Sequence, residues 1–221
     1  MTSADWAEVD SYLVDQLVRD PETAAVLAEN AKAGLPEIDV SAPQGKFLYL
    51  LARSAGARRV LEVGTLGGYS TVWLARAVGK AGQVLTLEYE PKHAEVARQN
   101  LDRAGVGDRV EIRVGAALDT LPMLAEENSE PFDLVFLDAD KVNNPHYVRW
   151  ALRLTRPGSV IIVDNVVRQG GLADANSTDP AIRGGREVVE LLSAEPRLDA
   201  TVVQTVGSKG WDGFAYALVV D

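Results

Sequence analysis

From residue 59 onward the chain alternates between two hydrophobic periodicities. Five short apolar runs, RVLEVG (59–64), QVLTLE (83–88), VEIRVG (110–115), FDLVFLD (132–138) and SVIIVDN (159–165), are separated by helix-like segments such as YSTVWLARAVG (69–79) and PKHAEVARQNLDRAG (91–105). Glycine stands at or just past the presumed helix ends, where a left-handed residue closes a last turn. Strands joined by helical crossovers run parallel, and a parallel sheet needs helices on both faces. The pattern predicts an α/β fold with a Rossmann-like, doubly wound sheet of order 3-2-1-4-5. Near the end, LDATVVQTV (198–206) and GFAYALVVD (213–221) are joined by GSKGWD with no helix between. They read as an antiparallel hairpin closing a mostly parallel seven-stranded sheet. Helices are expected before the sheet: ADWAEVDSYLVDQLVRD carries Trp6, Val9, Leu13 and Leu17 at helical spacing, and Pro21 and Pro43 sit where helices start. The expected organisation is one domain over 1–221, with an N-terminal helical segment at 1–56 and an α/β core at 57–221.

Composition narrows the function classes. A chain of 221 residues, 47% hydrophobic, can bury one substantial core. No window approaches the roughly 18 uninterrupted apolar residues of a spanning helix, and the acidic start MTSADWAEVD lacks a signal peptide's basic and apolar regions. A cytoplasmic protein is expected. The absence of cysteine removes disulfides, thiolate metal sites and cysteine nucleophiles. With 22 basic against 32 acidic residues the net charge is -10, which repels nucleic acid and anionic membranes. Small-molecule partners are favoured.

Open α/β sheets bind ligands at the carboxyl ends of their strands. Here strand one ends Glu62-Val63-Gly64, strand two in Glu88, strand four in Asp138-Ala139-Asp140 and strand five in Asp164-Asn165. The first pair of acids accompanies EVGTLGGYS (62–70), a glycine-rich strand-to-helix turn that lets a ligand approach the backbone. Glu88 lies 20 residues beyond Gly68, about the spacing at which a carboxylate holds ribose hydroxyls. A nucleoside ligand is implied. The glycines at 64, 67 and 68 do not form the dinucleotide fingerprint G-x-G-x-x-G, and Glu62 would oppose a pyrophosphate. An ammonium and a sulfonium would welcome acids, so S-adenosylmethionine fits better. The second group, Asp138, Asp164 and Asn165, offers two carboxylates and a carboxamide oxygen from neighbouring strands. That is a hard oxygen site suited to Mg²⁺, with Mn²⁺ or Ca²⁺ as alternatives.

VLEVGTLGGYS (60–70), LDADK (137–141) and VDN (163–165), in this order and on these strands, resemble the class I, cation-dependent O-methyltransferases of the catechol and caffeoyl-coenzyme A type. The resemblance runs from VSAPQGKFL at residue 40 through DGFAYALVV near the end. It implies that Asp138, Asp164 and Asn165 hold the metal and that Lys141 is a general base, with Asp138 also catalytic. It further implies that Glu62, Gly64, Thr65 and Ser70 contact the methionine part of the cofactor, that Glu88 holds its ribose and that Ala117 contacts the adenine. Val40, Asp138 and Asp140 are further cofactor candidates. Lys141 as an ion-pair partner of Asp138 or Asp140 remains the alternative to a base. Ala139 and Asp140 stand before Lys141 where the catechol enzyme has an aromatic residue, as in the caffeoyl-coenzyme A and bacterial branches. The family expectation is a homodimer.

The resemblance implies methyl transfer to a hydroxyl of a catechol-like phenolic molecule. A nicotinamide-dependent oxidoreductase and a cofactor-binding protein without turnover are the alternatives. VVRQGGLADANSTDPAIRGGRE (166–187) reads as a mobile loop over the acceptor, with Arg168 and Gln169 at its root. Trp211 and Asp212 either reach the acceptor or pack. NNPHY (143–147) is similar to the Asn-Pro-Pro-aromatic motif of nucleic-acid amino methyltransferases, but DADK occupies the place after strand four where that motif belongs. His93 and His146 fall on helix beginnings and are expected at the surface.

Overall fold

Helix starts are written locally. In a computed structural model describing residues 3–127 and 130–220, the Asp20 carboxylate accepts from the backbone N–H groups of Glu22 and Thr23 at 3.0 and 3.1 Å. It caps α2 (Pro21–Lys32), whose first position is the proline that needs no donor. Ser41 caps α3 (Ala42–Ser54) by accepting from Gln44 N–H at 3.3 Å. The expected helix before them is α1 (Ser3–Leu13), which continues as a π-helical turn over Val14–Val18. Val9 and Leu17, read as part of an apolar stripe, are 57% and 69% exposed. Val9 is exposed within regular α1, whereas Leu17 lies in the π turn, which takes more residues per revolution than an α turn and so breaks the 3.6-residue register of that stripe. Met1, Thr2 and Asp221, included in the terminal readings, lie outside the described residues.

The sheet elements alternate with helices as expected: β1 (Arg59–Val63), α4 (Tyr69–Val78), β2 (Gln83–Glu88), α5 (Pro91–Arg103), β3 (Val110–Val114), α6 (Ala117–Glu126), β4 (Phe132–Leu137), α7 (Asn144–Leu154), β5 (Thr155–Val163), α8 (Pro180–Ala194), β6 (Leu198–Gly207) and β7 (Gly210–Val219). One seven-stranded sheet has the order β3-β2-β1-β4-β5-β7-β6. β1–β2, β2–β3 and β4–β5 pair in parallel, whereas β7 runs antiparallel to both β5 and β6. The hairpin turn is tighter than the sequence suggests. Gly207 pairs with Gly210, leaving Ser208 and Lys209 as the connection, because the strands extend through residues read as loop.

Two compact units divide the chain. In Ser11–Thr120 the core gathers on β1, β2, α4 and α5, with Leu61, Leu74, Leu87 and Leu101 fully buried. In the other, Met1–Asp10 with Leu121–Asp221, strands β4 and β5 carry buried residues at consecutive positions, Leu134 to Leu137 and Val160 to Val163. Burial on both faces replaces the two-residue alternation of a half-exposed strand.

Candidate functional site

In the unit Ser11–Thr120 the parallel register brings three strand ends into a row. Val63 pairs with Leu87 and Glu88 with Val114, and the row continues as Gly64 N–H donates to Leu87 O at 2.9 Å and Gly115 N–H to Glu88 O at 2.8 Å. Gly64, Glu88 and the turn leading to Ala117 therefore leave the sheet side by side. The turn after β1 depends on left-handed backbone, with φ of 101° at Gly64, 49° at Leu66 and 85° at Gly68. Glycine adopts this freely, but leucine is strained and must be held. Glu88 holds it: Oε2 accepts from Thr65 N–H at 3.1 Å and Leu66 N–H at 2.8 Å, while Oε1 accepts from Glu90 N–H at 2.9 Å. His93, expected at the surface, places Nδ1 3.4 Å from the same Oε1. His146 is exposed as expected.

Beneath the turn lies Glu62, fully buried. Oε1 accepts from the Ser70 hydroxyl at 2.6 Å, and Oε2 from the hydroxyls of Thr71 at 2.5 Å and Thr86 at 2.8 Å. Thr86 lies 2.6 Å from the Thr65 hydroxyl, so Glu62, Thr65 and Ser70 belong to one network. A carboxylate taken out of water needs such donors. Val40, also buried, follows Asp39, whose Oδ1 accepts from Asn30 Nδ2 at 2.9 Å. Asn100 Nδ2 donates to both Asn30 Oδ1 and Gly67 O, each at 2.9 Å. The buried amides of α2 and α5 thereby fix the glycine turn. Sequence reasoning missed Asn30, Asn100 and Thr86. Only Thr86 left a signal, since it stands two residues before Glu88 on the same face of β2.

In the unit carrying β4 and β5, Leu137 pairs with Val163, and Asp164 N–H donates to Leu137 O at 2.9 Å. Asp138 and Asp164 thus leave neighbouring strands at the same level, roughly 4.8 Å apart in the sheet direction. Asp164 is buried, Asp138 half-buried. Asn165 has φ of 55°, a left-handed conformation that asparagine tolerates better than most residues. Lys141 Nζ stands 2.5 Å from Asp138 Oδ1, with the two side chains 13% and 19% exposed. Asp140 is engaged locally, accepting from the Tyr147 hydroxyl and from Asn143 Nδ2, each at 2.5 Å. Burial, reinforced by that Asp140 contact, holds the Tyr147 phenol well above its ordinary pKa. Among the described residues no three His, Cys, Asp or Glu side chains gather for a metal. A site of Asp138, Asp164 and Asn165 draws its third oxygen from an amide.

The segment after Asn165 differs from the expected loop. Gly171–Ala173 form a 3-10 turn, and 180–187 already belong to α8, capped by Asp179, which accepts from Ala181 N–H at 2.7 Å. Arg168, Gln169 and Gly170 are consecutive left-handed residues, with φ of 51°, 54° and 84°. Asp212 Oδ1 stabilises this run, accepting from Val167, Arg168 and Gly213 N–H at 3.1, 2.9 and 2.9 Å. Trp211 Nε1 donates to Gln204 Oε1 at 3.1 Å.

An O-methyltransferase family model matches residues 14–213. The chain belongs to the O-methyltransferase family. A catechol O-methyltransferase of Mycobacterium tuberculosis is 61% identical over 213 residues, 96% of this chain and 95% of that protein. The crystal structure of the Bacillus cereus O-methyltransferase in complex with SAH matches with a TM-score of 0.97 and 55% identity, covering 99% of this chain and 100% of that one. TomG, an O-methyltransferase from Streptomyces achromogenes solved in complex with SAM, gives a TM-score of 0.96 at 46% identity, each chain covered completely. O-methyltransferase membership agrees with the resemblance in VLEVGTLGGYS, LDADK and VDN, and neither alternative class gains support. The donor set of this O-methyltransferase fits a hard divalent cation at Asp138, Asp164 and Asn165, all oxygen and doubly negative. The left-handed turn at Gly64 and Leu66, with acids behind it, fits a cationic nucleoside.

Proposed function

We propose that this chain transfers the methyl group of S-adenosylmethionine to one hydroxyl of a catechol-like, vicinal dihydroxy aromatic molecule, assisted by a divalent cation, Mg²⁺ foremost. One observation carries the cation-assisted reading: the Leu137–Val163 pairing sends Asp138 and Asp164 out of adjacent strands together, with Asn165 held left-handed beside them. Cofactor and acceptor fall to different strand ends. Gly64, Thr65, Ser70, Glu88 and Ala117 receive the donor, Glu88 at the ribose and Ala117 at the adenine, with Val40 as a further wall. Glu62 acts from below by fixing Ser70 and the base of the turn. Asp138, Asp164 and Asn165 would hold the cation. A cation held by these residues would supply Lewis acidity, making an acceptor hydroxyl easier to deprotonate and helping to orient it. Lys141 would take the hydroxyl proton as the neutral amine, after giving its own proton to solvent, and its contact with Asp138 Oδ1 keeps the nitrogen beside the carboxylate that would hold the cation.

Small phenols suit the molecule better than nucleic acid or an anionic membrane surface, both of which a net charge of -10 repels. We take 1–221 as a single catalytic domain working in the cytoplasm as a homodimer. Tyr12 and Leu17, 64% and 69% exposed, supply apolar surface for a second copy.

The test combines methylation of catechol or caffeic acid, with and without a chelator, and calorimetry. Asp138→Ala is expected to abolish turnover and weaken Mg²⁺ binding while S-adenosylmethionine still binds. Turnover that survives both chelation and Asp138→Ala removes the cation from the mechanism.

A further inference from the structure

α8 carries two consecutive glycines, Gly184 and Gly185, in the interior of a 15-residue helix, where alanine would be the better helix former. Both are buried, and Val188 and Leu192 continue the same buried face one and two turns on. A side chain at either position has no room. A Cβ on Gly184 would lie 2.1 Å from Lys141 O, 3.0 Å from Lys141 C and 3.2 Å from Val142 Cα. A Cβ on Gly185 would lie 2.9 Å from Val166 O and 3.6 Å from Val166 Cα. These neighbours are backbone, which cannot swing aside as a flexible side chain can. They are also the two segments that matter: Lys141 stands 2.5 Å from Asp138, and Val166 directly follows Asn165.

We infer that Gly184 and Gly185 are positioning residues: by letting α8 rest directly on the backbone at Lys141 and Val166, they set the spacing between the proton-accepting lysine and the Asp138, Asp164, Asn165 oxygens. The inference rests on the proposed roles of those residues. Neither glycine touches a reacting atom. A methyl at 184 pushes on the Lys141 peptide, so the lysine shifts relative to Asp138. A methyl at 185 pushes on Val166 and, through it, on the Asn165 oxygen.

Gly184→Ala separates this role from ordinary packing. Measured well below its Tm, the folded variant is expected to lose kcat on the order of 10²-fold, the effect of a misplacement near 1 Å, with KM for S-adenosylmethionine within about twofold of wild type. Gly185→Ala is expected to weaken Mg²⁺ binding about tenfold by calorimetry, as loss of a group supporting a metal ligand does. In crystal structures of both proteins, the Lys141 Nζ to Asp138 Oδ1 separation should be longer in Gly184→Ala than in the wild type, where the two atoms are paired. Gly82→Ala is the control, since its methyl meets Val78 Cβ at 2.5 Å and Arg58 O at 2.7 Å in a turn that carries no candidate site residue. It should lower Tm and leave kcat unchanged. A folded Gly184→Ala with wild-type kcat and an unmoved Lys141 overturns the inference, as does an equal loss of kcat in Gly82→Ala. If Gly184→Ala does not fold, the milder Gly185→Ala decides alone, and unaltered Mg²⁺ affinity in it overturns the inference. A wild-type enzyme that binds no Mg²⁺ overturns the cation-assisted reading instead, and is recognised before any variant is made.

Discussion

Glu62 and Lys141 are both charged residues near strand ends, yet their surroundings give them different work. Three hydroxyls surround Glu62, so truncation leaves Ser70, Thr71 and Thr86 donors without their acceptor in a dry interior. Glu62→Ala should destabilise the fold by about 3 kcal/mol or more, read by urea denaturation. Lys141 is paired but half-buried at the proposed metal site, where either a base or an ion-pair partner would stand. Lys141→Arg keeps a cation opposite Asp138 but cannot give up a proton. If the lysine is the base, this variant should lose about 10²-fold or more in kcat while retaining its Tm. Full retention of turnover would leave Lys141 as the ion-pair partner. Tyr147 gives a stability signature at high pH. Its phenol is protonated more tightly in the folded chain than in the unfolded one, whose ordinary value is 10.0. The stabilisation is complete below about pH 10 and is lost as pH climbs towards the raised folded value, by about 1.4 kcal/mol per unit. A Tyr147→Phe variant should show a shallower loss over that window, followed by thermal denaturation.

Among elements, α2 and α5, which pack on each other, also fix the turn after β1. Through Asn30 and Asn100 they hold the Gly67 carbonyl, and a Cβ on Gly67 would lie 1.8 Å from Asn30 Oδ1. Asn100→Ala should therefore cost about 1–3 kcal/mol, the range for an unsatisfied buried partner. Because the freed turn is the proposed cofactor cradle, KM for S-adenosylmethionine should rise with kcat little altered. Equal KM values in wild type and variant would show that the turn holds its shape without the amides. The same element logic explains why RGGRE reads as loop in the sequence. Glycine pairs are poor helix formers, and only the backbone lying against α8 gives a reason for them to be there.

At the scale of the molecule, a ligand that binds only the folded state stabilises it by mass action. At a hundredfold excess over Kd this amounts to about 2.7 kcal/mol. For a chain of this length S-adenosylmethionine should raise Tm by about 5–10 °C, whereas NAD should leave it unmoved. An equal shift with NAD would return the oxidoreductase reading. The exposed apolar residues of the N-terminal helices lead to a second expectation, that light scattering in solution gives twice the mass of one chain.

The alternation of strand and helix, the acids ending β1, β2, β4 and β5, and the helix starts at Pro21 and Pro43 were all legible in the sequence, because each depends on neighbours within a few residues. Periodicity and capping are local physics. The Glu62 hydroxyl cluster, the Asn30–Asn100 bridge, the Asp212 clamp on Val167 and Arg168 and the two glycines against Lys141 and Val166 were not legible. They join groups as far apart as 70 residues in the chain, Asn30 and Asn100 among them. No local pattern encodes which distant donor will meet a buried acceptor. That pairing was decided only when the strands found their register and the helices packed on them, since burial is what makes each unpaired polar group costly enough to select its partner.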